Sequence, residues 1–313
     1  MCHVVIVSKL IIPTVPCFFV QLKMSEDRFQ LVVRKKKGKG TANKRPCKRQ
    51  QDRCSVDRDH DDDDGGSDEN LDSLIERIQN CSVELLCSPF YKNLSDNLKK
   101  TIESVKDIHD ADHQKCVTMV CYGIGNFASC LIARYQLGLL LCIRQEFQIP
   151  SERIHLYDPM FSKTEIRTLN SLGCSLITVN EEGKRQAEGL TIFLMLHCGK
   201  PLYNNLLWAN WKARLLQNVI IVGNSFKNME LNIPHRIMEE EASYIIKILP
   251  YVTEVPVKNN FVHDDIFNNT SIHCFPACNL EEIQRIFWDS SPEPIYEKDA
   301  EIILKKEATL ETM

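Results

Sequence analysis

The 313-residue sequence predicts an α/β domain with a mostly parallel sheet and helices on both faces. Three observations carry that expectation. Short β-rich apolar runs recur along the chain, joined by single stretches of helical period, the pattern of βαβ units. One run, Val117 to Cys121, passes through Gly123-x-Gly125-x-x-Ala128 into such a helical stretch. A strand, glycine turn and helix in that order makes the architecture Rossmann-like. Finally, an apolar share of 43%, with 13 Phe and 3 Trp, is enough to fill a core between the layers.

Ahead of the domain lie segments of different character. Residues 1–23 are apolar but interrupted by Lys9, Pro13 and Pro16, with no basic region before them and no small-residue cleavage site. They make a poor membrane span and read as an extension absent from the main product, before the polar start at Met24. Residues 24–69 are expected to be a disordered charged arm. Nine Lys and Arg fall in 34–49 (Arg34, Lys35, Lys36, Lys37, Lys39, Lys44, Arg45, Lys48, Arg49), and eight Asp and Glu in 57–69, including Asp61 to Asp64. Opposed charge blocks almost without apolar residues cannot bury enough surface to fold. The basic block has the composition of a nuclear localisation signal. The net charge of −4 argues against nucleic acid as an obligatory partner of the whole chain.

From Leu71 to about Ile108 the period turns helical, with Ser88-Pro89 separating two helices, so 70–109 is a helical preface. The domain proper, 110–290, is expected to run as follows. Strand 117–121 leads to helix 126–147, then strand 154–157 ends at Asp158-Pro159. Ser162-x-x-Glu165 is a capping box opening helix 163–172, which Gly173 closes. Strand 175–179 comes next, then strand 191–196 ending at His197-Cys198-Gly199, and helix 201–216. Strand 218–222 ends at Gly223-Asn224-Ser225. Helix 234–243, extended segments near 245–257 and 271–275, and a helix over 280–288 complete the domain. Residues 291–313 form a C-terminal tail.

In a doubly wound sheet, ligands bind outside the carboxyl ends of the strands. The candidate cofactor-binding residues are therefore Gly123, Gly125, Asp158, Gly223 and Asn224. The glycines let backbone approach an anion at a helix N-terminus, and Asp158 ends the second strand, where ribose hydroxyls are gripped. An adenine nucleotide or S-adenosylmethionine is the ligand class that chemistry suits. Asp158 lies 33 residues after Gly125, beyond the usual roughly 20, and the long first helix accounts for the excess. His197 and Cys198 are the candidate catalytic pair only in a weak sense, since adjacent side chains on extended backbone diverge. No metal site is expected, because His273, Cys274 and Cys278 lack the spacing of a paired zinc knuckle. The 14 cysteines are scattered, several within apolar runs, as buried reduced thiols of an intracellular protein are. In Tyr203 to Trp211, Asn204, Trp208 and Trp211 share a helix face; the tryptophans are expected to pack that helix on the sheet.

Several blocks together carry a family resemblance. They are Val-Cys-Tyr-Gly-Ile-Gly-Asn-Phe (120–127), Tyr-Asp-Pro-x-Phe (157–161), Asn-Glu-Glu-Gly-Lys-Arg (180–185), His-Cys-Gly (197–199), Leu-Tyr-Asn-Asn-Leu-Leu-Trp-Ala-Asn-Trp (202–211) and Gly-Asn-Ser-Phe (223–226). Over about 115–290 the chain resembles the "sensitivity to red light reduced" family, and within it the animal SRR-domain proteins. The resemblance implies a regulatory protein acting with protein partners, linked to clock gene expression and, in animals, to haem biosynthesis. The expected location is cytoplasmic, and also nuclear if the basic block 34–49 serves as a nuclear signal; the family brings no established reaction or catalytic residue. The chain holds no Cys-Pro dipeptide, the simple haem-regulatory signature. The alternative from the fold alone is a methyltransferase-like or NAD(P)-dependent enzyme.

Overall fold

A computed structural model describes residues 68–106, 117–289, 291–297 and 300–305. The expectations for residues 1–23, for nearly all of the charged arm and for the end of the tail lie outside the described residues. Two helices precede the sheet, α1 (Asp68–Leu86) and α2 (Pro89–Lys106). They meet at Ser88, whose hydroxyl accepts from the Tyr91 N–H and donates to the Leu85 carbonyl. Leu74, Ile78, Leu94, Leu98, Ile102 and Val105 are all buried, so the apolar stripes read from the sequence face inward.

The sheet has seven strands in the order β3-β2-β1-β4-β5-β7-β6. These are β1 (Thr118–Tyr122), β2 (Ile154–Tyr157), β3 (Ser175–Leu176), β4 (Thr191–Met195), β5 (Val219–Asn224), β6 (Thr253–Pro256) and β7 (Thr270–Cys274). The first five are parallel, and β7 runs antiparallel to both β5 and β6. The chain leaves β1 toward β2 on one side and later returns to β4 on the other. The strand order thus reverses between β1 and β4, which is where ligand crevices open in such sheets.

Alternation along the strands divides the core in two. Met119, Cys121, Ile154, Leu156, Ile192 and Leu194 face one layer, built of α1, α2 and α3 (Leu131–Glu146). Val120, Tyr122, Phe193, Met195 and Ile221 face the other, where α5 (Lys200–Ala209) and α9 (Ser243–Ile248) pack. Because α1 lies on the outside of α3, α3 is buried nearly all round. Gly138 allows that approach: a Cβ there would stand 3.3 Å from the Ser82 backbone nitrogen. Along this chain α4 (Lys163–Ser171) carries the expected capping box, with Ser162 and Glu165 bonded reciprocally.

Several boundaries differ from expectation. Helix α3 begins at Leu131, not 126, because the Asn126 side chain accepts from the Ser129 N–H and hydroxyl and holds 126–129 in a turn. The expected helix 201–216 breaks at Asn210 into α5 and α6 (Ala213–Leu216). Asn210 stops it by donating to the Arg185 and Leu206 carbonyls and accepting from the Ala187 N–H. After α7 (Phe226–Asn232) and α8 (His235–Glu241), the run at 243–248 is helical rather than extended. Asn204 caps it by accepting from the Tyr244 N–H at 2.7 Å, and Tyr244, Ile245 and Ile248 bury against α5. The final helix divides into α10 (Ala277–Glu281) and α11 (Arg285–Asp289). Among the described residues no helix is long and apolar enough to cross a membrane.

Candidate functional site

At the switch point, a cavity of about 460 Å³ opens at the carboxyl ends of β1, β2 and β4. Tyr122 and Gly123 leave β1 into it, Tyr157 and Asp158 leave β2, and His197, Cys198 and Gly199 leave β4. Five of the residues singled out from the sequence therefore converge or adjoin here. Gly123, Asp158, His197 and Cys198 line the cavity, and Gly125 touches it through Asp158.

The glycine turn works as the sequence implies in conformation but not in bonding. Gly123 and Gly125 adopt φ of 72° and 78°, which L side chains rarely take. A Cβ on Gly123 would lie 2.7 Å from Cys198 Sγ, whereas one on Gly125 would meet nothing within 4 Å. The Gly125 N–H, however, donates to Asp158 Oδ2 at 2.7 Å, and the Ala128 N–H donates to Glu165 Oε1 at 2.8 Å. Asp158 Oδ1 accepts from the Met160 N–H at 2.8 Å. Burial pushes the Asp158 carboxyl up, against the pull of the Met160 and Gly125 amides. Two of the turn's donors are thus already satisfied by side chains of this chain, and the first helical turn starts five residues later than Asn126.

Gly223 and Asn224 stand beside the cavity without lining it. A Cβ on Gly223 would be 2.7 Å from both the Met195 carbonyl oxygen and the Tyr203 hydroxyl. Glycine there admits Tyr203, whose hydroxyl donates to the Met195 carbonyl and accepts from the Asn224 N–H. The Asn224 side chain accepts from the His197 N–H at 3.0 Å and donates to the Cys198 carbonyl at 3.1 Å. Both residues brace the loop after β4, which holds His197 at φ of 53°. His197 is exposed and Cys198 buried, with His197 in a left-handed turn rather than on the extended backbone the expectation assumed. The Cys198 thiol donates to the Tyr122 carbonyl, and burial pushes it up to about 12, with the Asp158 charge adding to the effect. No thiolate forms there near neutral pH. The ring of His197 is held below the ordinary histidine value by the protein around it, against Asn268 and Asp265. Among the described residues no group of three or more His, Cys, Asp and Glu is placed to hold a metal ion.

Two parts of the site were not anticipated. The first is the loop at 180–185. Glu181 receives a bidentate pair from Arg185, at 2.7 and 2.8 Å, and the Tyr122 hydroxyl at 2.7 Å. The second is the segment 300–305, which crosses the mouth of the cavity. Asn180 Nδ2 donates to the Ile303 carbonyl, Glu182 Oε1 accepts from the Lys305 N–H, and Lys200 pairs with Glu301 at 3.2 Å. Asn180 and Glu182 lie in the 180–185 block, which entered the sequence reading only through the family resemblance.

An SRR1 domain profile matches residues 94–274. The chain belongs to the SRR1 domain family. An SRR1-like protein of Mus musculus is 38% identical over 201 residues, covering 57% of this chain and 80% of that protein. An SRR1-like protein of Drosophila melanogaster is 26% identical over 287 residues, 91% of this chain and 96% of that one. The Arabidopsis thaliana protein SENSITIVITY TO RED LIGHT REDUCED 1 is 35% identical over 159 residues, 50% of this chain and 57% of that protein. The matched span begins inside α2 and ends with β7, so it takes in the whole sheet and the crevice at its switch point.

Proposed function

We propose that this protein is a regulator of circadian clock gene expression and of haem biosynthesis, acting in the cytoplasm and nucleus through protein partners. Family membership supports the regulatory class. One structural observation favours it over an enzyme: the amides that would grip a phosphate are already bonded to Asp158 and Glu165. Cys198, the thiol at the cavity, is buried, bonded to the Tyr122 carbonyl and pushed up to about 12 by burial, which is not the setting of an activated nucleophile. Depleting the protein in cultured cells should change the rhythm of a clock-gene reporter and the rate of haem synthesis. Unchanged rhythm and unchanged haem would sink this reading.

A second reading keeps one observation on its side. Gly123 and Asp158 face a cavity of about 460 Å³ at the switch point, where an adenine nucleotide or S-adenosylmethionine binds in enzymes of this architecture. For that ligand the Gly125 amide must be released from Asp158. Calorimetric titration with NAD, NADP and S-adenosylmethionine separates the two. The regulatory reading expects no heat from any of them, and saturable binding weakened by Asp158→Ala would establish the alternative.

A further inference from the structure

Asn204, Asn205 and Trp208 of α5, with Trp211 just beyond it, share a further role. Trp208 and Trp211 donate through Nε1 to the Ser291 and Phe287 carbonyls, at 3.1 and 3.2 Å. Asn204 donates to the Tyr296 hydroxyl, and that hydroxyl donates to Asn205, both at 2.9 Å. The arm that begins at α11 is thereby tied along α5 and delivered to the crevice.

Where it crosses, the contacts are those of peptide recognition. Asn180 takes a main-chain carbonyl and Glu182 a main-chain N–H. Lys200, with its side chain only 13% exposed, takes the Glu301 carboxylate. Ala300 and Ile302 are half-buried and line the cavity, which Ile303 also borders although it is 57% exposed. The backbone also passes very close to Gly199. A Cβ there would collide with the Glu301 carbonyl oxygen and stand 2.7 Å from its Cβ. Gly199 itself has φ of −65°, which any residue adopts, so its lack of a side chain serves the crossing segment rather than its own conformation.

We propose that the crevice is a docking groove for a short peptide with an acidic residue followed by an aliphatic one, filled here by residues 300–305, which bend at 300–302. A partner segment of the same chemistry takes the groove by displacing this one. The biological occupant rests on the regulatory reading above, but the groove itself does not, and the following test addresses the groove directly. In the parent protein the tethered segment competes at an effective concentration on the order of mM. The probe is a labelled, end-blocked hexapeptide, Ala-Glu-Ile-Ile-Leu-Lys, titrated by fluorescence anisotropy into the full chain.

Ile302→Asp puts a carboxylate into the cavity that Asp158 also lines and should free the groove. The peptide should then bind at least tenfold more tightly than to the parent. Glu301→Lys, which opposes Lys200 from an exposed position, should do the same if the first variant fails to fold. Adding Gly199→Ala to either should abolish binding, since the new methyl occupies the crossing point. Equal affinity with and without Gly199→Ala would overturn the proposal. So would the absence of binding to folded variants whose 300–305 segment has become open to digestion.

Discussion

Substituting the two turn glycines by alanine separates backbone conformation from contact. Both stand at left-handed φ, 72° at Gly123 and 78° at Gly125. Alanine in that region costs roughly 1–2 kcal/mol. For Gly125 that is the whole expected effect, because its new methyl would meet nothing within 4 Å. For Gly123 the methyl lies 2.7 Å from Cys198 Sγ, and Cys198 is buried and bonded to the Tyr122 carbonyl, so it cannot swing away freely. Forcing an extra methyl into a packed site adds about 1–3 kcal/mol. Gly123→Ala should therefore lose about 2–5 kcal/mol in all. In a double-mutant cycle, Cys198→Ala should recover the contact share and leave the conformational share. Urea unfolding followed by both far-UV dichroism and tryptophan fluorescence is the assay, with coincident transitions and an unchanged slope as conditions for its use. Equal losses at the two glycines, or additive losses for Gly123→Ala and Cys198→Ala, would refute the packing argument.

Two further outcomes follow from the charges at the site. Burial raises the Glu181 carboxyl, but Arg185 and the Tyr122 hydroxyl outweigh it and hold it below the ordinary 4.5. A carboxyl with a lowered folded-state value stabilises fully above the unfolded value and loses that contribution as pH falls through the folded one. Stability measured from about pH 6 down to about pH 3 should thus decline less steeply below 4.5 in Glu181→Gln than in the parent; identical slopes would remove Glu181 from the argument. Cys198, pushed up to about 12, should alkylate far more slowly near neutral pH than exposed Cys87, Cys130 and Cys278. Peptide mapping that finds Cys198 labelled first would show an activated thiolate instead.

What could be read from the sequence was local. The capping box at Ser162 and Glu165, the break at Ser88-Pro89 and strand 154–157 depend on neighbours within a few residues, and each stands where its signal lay. The positive φ of Gly123 and Gly125 is of the same kind. Where long-range partners decide, local pattern misleads. The β-branched run around Ile245 has strand propensity, yet Asn204, 40 residues earlier, caps it as a helix. Asp158 reads as a free carboxylate until the Gly125 amide, 33 residues away, is seen to bind it. The crossing segment had no local sign at all: its bonds to Asn180 and Glu182 each span 123 residues.

The connection between β3 and β4 explains why that segment matters to the sheet. A parallel crossover is usually made by a helix that covers the strands it spans. Here the loop at 177–190 replaces it, and a polar cavity of about 450 Å³ remains over Thr118, His155 and Arg185. A loop lying on a sheet needs its backbone groups satisfied from elsewhere. Asn205 supplies a donor to the Glu182 carbonyl, and Asn210 supplies donors and acceptors at Arg185 and Ala187. The arm adds side-chain contacts to the same loop: Glu293 pairs with Lys184, the Ile303 carbonyl accepts from Asn180 Nδ2, and the Lys305 N–H donates to the Glu182 carboxylate. The loop in turn holds Tyr122, at the end of β1, through Glu181. The arm, through Asn180 and Glu182, and the end of β1, through Glu181, are thus anchored on neighbouring residues of one loop.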